Sequence, residues 1–135
     1  MKELTLDATV QNIETVTDFV NAALEEWDCP MKAQMQIDVV IDELFGNIAQ
    51  YAYAPRIGTA TVQVELLEDP RGVKLTFIDG GKPYNPLSSD DPDVTLSAEA
   101  RGVGGLGVFL VKKTMDEVAY AYENGQNVLT AVKRF

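Results

Sequence analysis

The sequence contains no histidine and a single cysteine, and both features restrict its chemistry. Without histidine, the chain lacks the commonest general base and zinc ligand, which excludes Ser-His-Asp hydrolases and zinc enzymes with the usual His and Cys ligands. Cys29 has no second cysteine to pair with, so an intrachain disulfide is impossible and nothing indicates a secreted, disulfide-stabilised framework.

Basic residues and long apolar runs are also scarce. The chain has 11 Lys and Arg residues and 21 Asp and Glu residues, which gives a formal net charge of −10. Because so acidic a surface repels phosphate backbones and anionic lipid, we expect neither nucleic acid nor a membrane as the main partner. The longest apolar run, VAYAY, is far too short to span a bilayer, and no signal peptide is recognisable. We therefore expect a cytoplasmic protein.

What the sequence does contain is typical of one globular domain spanning residues 1–135, with 46% hydrophobic and 24% charged residues. Apolar periodicity predicts the order strand, helix, helix, hairpin, long loop, helix, hairpin. The corresponding segments are residues 3–10, 13–27, 31–53, 61–79, 80–105, 106–115 and 116–135. Hairpins build a largely antiparallel sheet and three helices can cover one of its faces, so we predict an α+β two-layer sandwich.

The 26 residues from Gly80 to Gly105 carry three prolines and are flanked by glycines. A connection of this length inside a compact domain is commonly functional, and glycines suit the hinges of a mobile cover. We predict a lid at about residues 82–104; the alternative is a surface loop without a role.

Two polar features on predicted regular elements could carry chemistry. Glu43 and Asn47 lie one helical turn apart at the edge of an apolar face, where a carboxylate can accept a proton and an amide oxygen can bind Mg²⁺. Asp79 ends a strand beside Gly80 and Gly81, which suits an acceptor for a planar amine such as that of adenine. The alternatives are a solvated surface pair and an ordinary turn aspartate.

A third feature is the segment RGVGGLG before the third predicted helix. Gly102, Gly104 and Gly107 formally match the dinucleotide-binding pattern, but no strand precedes them and the βαβ unit is missing. A glycine-rich turn that enters a helix N-terminus still offers free N–H groups and a positive dipole end to phosphate. The alternative is a flexible hinge without a ligand.

Taken in order, E-x-x-x-N, D-G-G-x-P-Y-N-P and G-G-L-G make the chain resemble the histidine-kinase-like (GHKL) ATPases. Within that superfamily it is similar to the stand-alone anti-sigma-factor serine/threonine kinases. The resemblance runs from DELFGNIAQYAY through FIDGGKPYNPL and RGVGGLGVFLVKKTMDEV to NVLTAVKRF. It implies a Bergerat-type fold that binds ATP and Mg²⁺.

The resemblance also implies residue roles. It makes Glu43 the catalytic base, Asn47 a Mg²⁺ ligand, Asp79 the reader of adenine and Gly81 the position that lets the base approach. Further nucleotide contacts implied by the resemblance are the phosphate-binding Gly105 and Gly107, Arg101 at the γ-phosphate and Thr130 with a hydroxyl near adenine.

The function implied is a Mg-ATP-dependent kinase that phosphorylates an anti-sigma-factor antagonist protein. The resemblance further implies that such a protein sequesters a sigma factor by partner switching and forms a homodimer. Two other functions stay open from the residues alone. The chain could be a binding switch that nucleotide controls without phosphate transfer, or an ATPase that uses water as the acceptor.

Overall fold

The computed structural model describes residues 1–88 and 106–135, with the side chain of Leu106 excepted. This part of the chain forms one five-stranded sheet with the order β1-β2-β3-β5-β4, in which each neighbouring pair is antiparallel. The strands are β1 (Lys2–Asp7), β2 (Thr59–Leu67), β3 (Gly72–Asp79), β4 (Glu117–Glu123) and β5 (Gln126–Arg134).

Three helices of the described part pack on this sheet. They are α1 (Ile13–Glu26), α2 (Met31–Asn47) and α3 (Leu106–Thr114). Helix α2 continues into a π-helical turn, Ile48–Ala52, so the long predicted second helix is present with a changed last turn. The predicted α+β sandwich is confirmed. None of the described helices is both long enough and apolar enough to cross a bilayer.

The two predicted hairpins are present, as β2–β3 and β4–β5. Asn124 and Gly125 join β4 to β5 with φ of 55° and 75°, the left-handed geometry that an Asn-Gly turn favours. Strands β2 and β3 pair along their whole length, and β5 then pairs with β3. Because β3 and β5 belong to different hairpins, the pairing of one hairpin with the other decides which of their side chains lie opposite each other.

The core lies between the helices and one face of the sheet. Along the register, Phe77 faces Val62 and Leu129, and all three are buried together with the apolar face of α2. Burying side chains of this size contributes about 1.5–3 kcal/mol each before the entropy cost of ordering them. The same face continues to Asp79 and Asn127, so the apolar layer ends in two buried polar residues.

Candidate functional site

The first part of the site is the Asp79 corner, which we define as Asp79, Gly81, Tyr84, Tyr120 and Asn127. Asp79 and Asn127 face each other across β3 and β5, and each is only 6% exposed. Asp79 Oδ1 accepts hydrogen bonds from the Gly81 N–H at 2.9 Å and from Asn127 Nδ2 at 3.0 Å. Among the described residues no donor contacts Oδ2, so this second oxygen is available to accept a hydrogen bond from a ligand.

The amide of Asn127 holds this corner together. Its Nδ2 also donates to the Lys82 carbonyl at 2.9 Å, while its Oδ1 accepts from the Tyr84 N–H at 3.1 Å and from the Tyr120 hydroxyl. A buried amide with both donors and its acceptor paired keeps one orientation, because turning it over would leave polar groups unpaired. The start of the loop after β3 is thereby tied to β5.

The loop after β3 is also hydrogen-bonded to, and packed against, the π-helical turn. The Lys82 N–H donates to the Ala52 carbonyl at 2.9 Å, and a Cβ placed on Gly81 would lie only 2.3 Å from that same oxygen. The resemblance explains this glycine by the approach of a base. The structure supplies a different reason, which is that the backbone of Ala52 occupies the space a side chain would need.

Tyr53 makes a second set of hydrogen bonds near the contact between Gly81 and Ala52. Its hydroxyl donates to the Thr59 carbonyl at 2.6 Å and accepts from the Gly80 N–H at 2.7 Å. One phenol therefore joins the end of the second helix, the start of β2 and the end of β3. No feature of the sequence pattern predicted this role.

The second part of the site is the Glu43 junction, which we define as Glu43, Asn47 and Gly107. Glu43 and Asn47 are both half-buried on α2, and Asn47 Nδ2 lies 3.5 Å from Glu43 Oε1, a long and weak contact. A Cβ placed on Gly107 would lie 1.9 Å from Glu43 Oε2. The Glu43 carboxylate thus packs directly against the first turn of α3. This close packing requires a glycine at position 107, because any side chain there would collide with the carboxylate.

The Glu43 junction fits a magnesium ion that arrives with a ligand. Because Asn47 Nδ2 faces Glu43, its Oδ1 has no described hydrogen-bond donor, and an amide oxygen is a ligand type that Mg²⁺ accepts. Magnesium keeps several waters and commonly takes only one or two protein oxygens beside phosphates. In the described ranges, 1–88 and 106–135, no three His, Cys, Asp or Glu side chains gather around a possible metal position.

The two parts of the site are connected by one helix. Glu43 and Asn47 precede the π-helical turn, and Ala52 at its end contacts Gly81. Ala52 lies nine positions after Glu43, a rise of roughly 13 Å if the whole segment were α-helical. Helix α2 and the π-helical turn that follows it therefore fix the distance between the Asp79 corner and the Glu43 carboxylate.

The structure corrects the expectation for Thr130. This residue pairs with Thr76 on β3 and Ala119 on β4, one position out of phase with Asp79 and Asn127. Because successive side chains of a strand point to opposite faces, its hydroxyl lies on the face of the sheet away from the helices. Asn127 occupies the inward position that was assigned to Thr130.

Three other expectations fall wholly or partly outside the described residues. Arg101 and Gly105 lie there, and so do residues 89–104 of the predicted lid. The first part of that segment, residues 82–88, is described and includes a 3-10 turn at Pro86–Ser88, whose Leu87 packs against the core.

Comparison with known proteins gives the family. The family model of the histidine kinase-like ATPase domain matches residues 6–133. The chain is 27% identical over 109 residues to the serine/threonine-protein kinase BtrW of Bordetella bronchiseptica, a match that covers 81% of this chain and 75% of that protein.

Two further relatives carry the name serine-protein kinase RsbW. The one from Bacillus mycoides is 30% identical over 95 residues, covering 67% of this chain and 58% of the relative. The one from Listeria monocytogenes is 28% identical over 98 residues, covering 69% and 61%. The matches to the RsbW kinases thus span about three fifths of those proteins. Because this family model matches nearly the whole length of the chain, the chain belongs to the histidine kinase-like ATPase domain family.

Proposed function

We propose that this protein is a Mg-ATP-dependent serine/threonine protein kinase that phosphorylates an anti-sigma-factor antagonist. Membership in an ATPase domain family and three relatives named as serine or serine/threonine kinases support this proposal. The observation that carries it is the Glu43 junction, where a half-buried carboxylate packs against the first turn of α3 and the Asn47 amide lies beside that carboxylate.

ATP would be held at both parts of the site. At the Asp79 corner the 6-amino group of adenine donates to Asp79 Oδ2, the carboxylate oxygen without a described donor. The phosphates lie toward the N-terminus of α3, where backbone N–H groups and the helix dipole favour anions. Asn47 Oδ1 binds Mg²⁺, which offsets the phosphate charge in a protein whose net charge is −10.

Glu43 is the general base of the transfer. It accepts the proton of the substrate serine or threonine hydroxyl as that oxygen bonds to the γ-phosphorus. The bond from the γ-phosphorus to the β–γ bridging oxygen breaks, and ADP leaves. Packing against Gly107 holds the Glu43 carboxylate beside the phosphate end of the nucleotide, so the residue needs no rearrangement to meet the hydroxyl.

The regulatory part of the proposal comes from the resemblance alone. An unphosphorylated antagonist would release a sigma factor from this protein, and phosphorylation of the antagonist would let the protein, acting as a cytoplasmic homodimer, sequester the sigma factor again. Size-exclusion chromatography with light scattering tests the dimer. Capture of partners from the native cell, with and without Mg-ATP, tests the exchange.

The kinase is tested with Glu43→Gln. Wild-type protein, γ-labelled ATP and the captured antagonist should give a labelled serine or threonine. Because general-base catalysis contributes about 10²–10⁴-fold, the variant should lose at least about a hundredfold in rate. Its affinity for Mg-ATP, measured by calorimetry, should change little. Asp42→Asn is the matched control, since it removes an exposed carboxylate from the neighbouring position of the same helix.

The same assay separates the other two functions. Label that appears as free phosphate without any partner would indicate an ATPase. Nucleotide binding without any label on a captured partner would indicate a nucleotide-controlled binding switch. A Glu43→Gln variant that transfers phosphate at the wild-type rate would refute the assignment of the base.

A further inference from the structure

The amide of Asn127 is locked by partners that cannot exchange roles. The Tyr84 N–H can only donate, so the atom it contacts at 3.1 Å must be the amide oxygen. The Lys82 carbonyl can only accept, so the atom it contacts at 2.9 Å must be the amide nitrogen. The Tyr120 hydroxyl shares the oxygen and stabilises the same orientation. The NH₂ group of Asn127 consequently always faces Asp79.

This fixed donor determines which oxygen of Asp79 a ligand can use. Two donors of the described residues reach the carboxylate, the Gly81 N–H and Asn127 Nδ2, and both end on Oδ1. No ion pair joins Asp79 to a Lys or Arg in the part of the chain that the structure describes. A buried carboxylate held only by two hydrogen bonds on one side keeps its other oxygen, Oδ2, pointed away from both donors.

From these contacts we infer that Asn127, oriented by Tyr120, is a positioning residue that sets the preference for adenine over guanine nucleotides. The inference rests on the proposed binding of adenine by Asp79. Adenine presents an amino donor where guanine presents a carbonyl acceptor, so a carboxylate oxygen in a fixed direction accepts from the first and repels the second. Without its orienting donor, the carboxylate can turn and the discrimination weakens.

Asn127→Asp tests the inference without changing the size of the side chain. It replaces the amide nitrogen that donates to Asp79 Oδ1 at 3.0 Å with a carboxylate oxygen, which cannot donate. Calorimetry should show Mg-ATP binding weaker by about thirtyfold. The ATP-to-GTP affinity ratio should fall about tenfold.

Tyr120→Phe is the second variant, in case the first fails to fold. It removes one of the three contacts that orient the amide, so the ATP-to-GTP ratio should fall about threefold. Thr130→Val is the matched control on the outward face of the same strand, and its ratio should equal that of the wild type. Thermal melting of each variant separates loss of fold from loss of selectivity.

Each outcome decides between the inference and the proposed function. Wild-type protein that binds Mg-ATP, together with unchanged ratios in Asn127→Asp and Tyr120→Phe, overturns the inference and leaves the proposed function standing. Equal weakening of ATP and GTP binding in Asn127→Asp assigns Asn127 a structural role only and also overturns the inference. Wild-type protein that binds no Mg-ATP refutes the proposed function and the inference with it.

Discussion

The Asp79 corner and the Glu43 junction differ in how completely their polar groups are paired. In the corner, the Asn127 amide alone makes four hydrogen bonds, and two of the residues are only 6% exposed. In the junction, the one contact between the polar side chains is 3.5 Å long and both residues are half-buried. The polar groups of the corner are paired within the protein itself, whereas those of the junction make one long contact with each other. Under the proposed function, the junction groups would contact the nucleotide, the metal and the substrate.

Burial explains the difference. Polar groups shielded from water must be paired inside the protein, because an unpaired buried group costs about 1–3 kcal/mol. Half-buried carboxylates keep water as a partner and can exchange it for a ligand. Under the proposed function, the rigid corner would select the nucleotide and the open junction would admit the hydroxyl of a protein substrate.

Asp79→Asn should produce the largest effect, because it removes the proposed adenine acceptor of the Asp79 corner. The two donors on Oδ1 would hold the new amide oxygen on their side, which turns its NH₂ toward the amino group of adenine. Donor would then face donor, so calorimetry should show Mg-ATP affinity roughly a hundredfold lower. A variant that melts like the wild type yet binds Mg-ATP as tightly would contradict the placement of adenine.

Gly81→Ala should damage the fold of the corner. The added Cβ would lie 2.3 Å from the Ala52 carbonyl oxygen, which is backbone and cannot swing away. We expect a loss of about 2–3 kcal/mol in the free energy of unfolding, measured with urea. Gly80→Ala is the matched control, since the added Cβ would meet only the Tyr53 hydroxyl at 3.6 Å. Equal stability of the two variants would show that the corner is not rigid.

Gly107→Ala should leave the fold intact and affect the chemistry of the junction. The added Cβ would collide with Glu43 Oε2, the end of a flexible side chain that can turn aside. We expect phosphate transfer to fall about tenfold, while the free energy of unfolding changes by less than about 1 kcal/mol. Gly46→Ala controls for adding a methyl group to a helix, because its Cβ would meet Ile13 at an ordinary 3.8 Å. Unchanged transfer would mean that the position of Glu43 is not critical.

Tyr53→Phe should have the smallest effect. It removes the hydroxyl that pairs with the Thr59 carbonyl and the Gly80 N–H, so urea unfolding should show a loss of about 1–2 kcal/mol. Tyr51→Phe, two positions earlier in the π-helical turn, removes a hydroxyl from an exposed side chain and should change stability by less than about 0.5 kcal/mol. Similar losses of stability in both variants would show that the hydrogen bonds of the Tyr53 hydroxyl do not stabilise the fold.

Sequence patterns were sufficient to predict the elements and their order. Alternation in β2 and β3, the Asn-Gly turn before β5 and the helical periodicity of α1 and α2 are local signals, and each was confirmed. The same alternation could have predicted that Asn127 points inward, since it is in phase with the inward residues Leu129 and Ala131. The assignment of Thr130 instead ignored that phase, and the register corrected it.

Contacts between distant segments could not be predicted in this way. Nothing in the pattern around Tyr53 indicates that its hydroxyl meets Gly80, 27 positions later. Nor could spacing show that Gly81 is required by Ala52 and Gly107 by Glu43, because each requirement exists only where two elements pack together.

By itself, the sequence determined the α+β class, the element order and the side chains that carry charge at the site, because hydrophobic period, turn residues and residue type are local properties. Only the tertiary structure decided which of those side chains share a cluster and which glycines are required, and it brought Asn127 to Asp79 through the pairing of β3 with β5. Packing decides such contacts because they join residues far apart in the chain, and their geometry follows from the register of the sheet and the seating of the helices upon it.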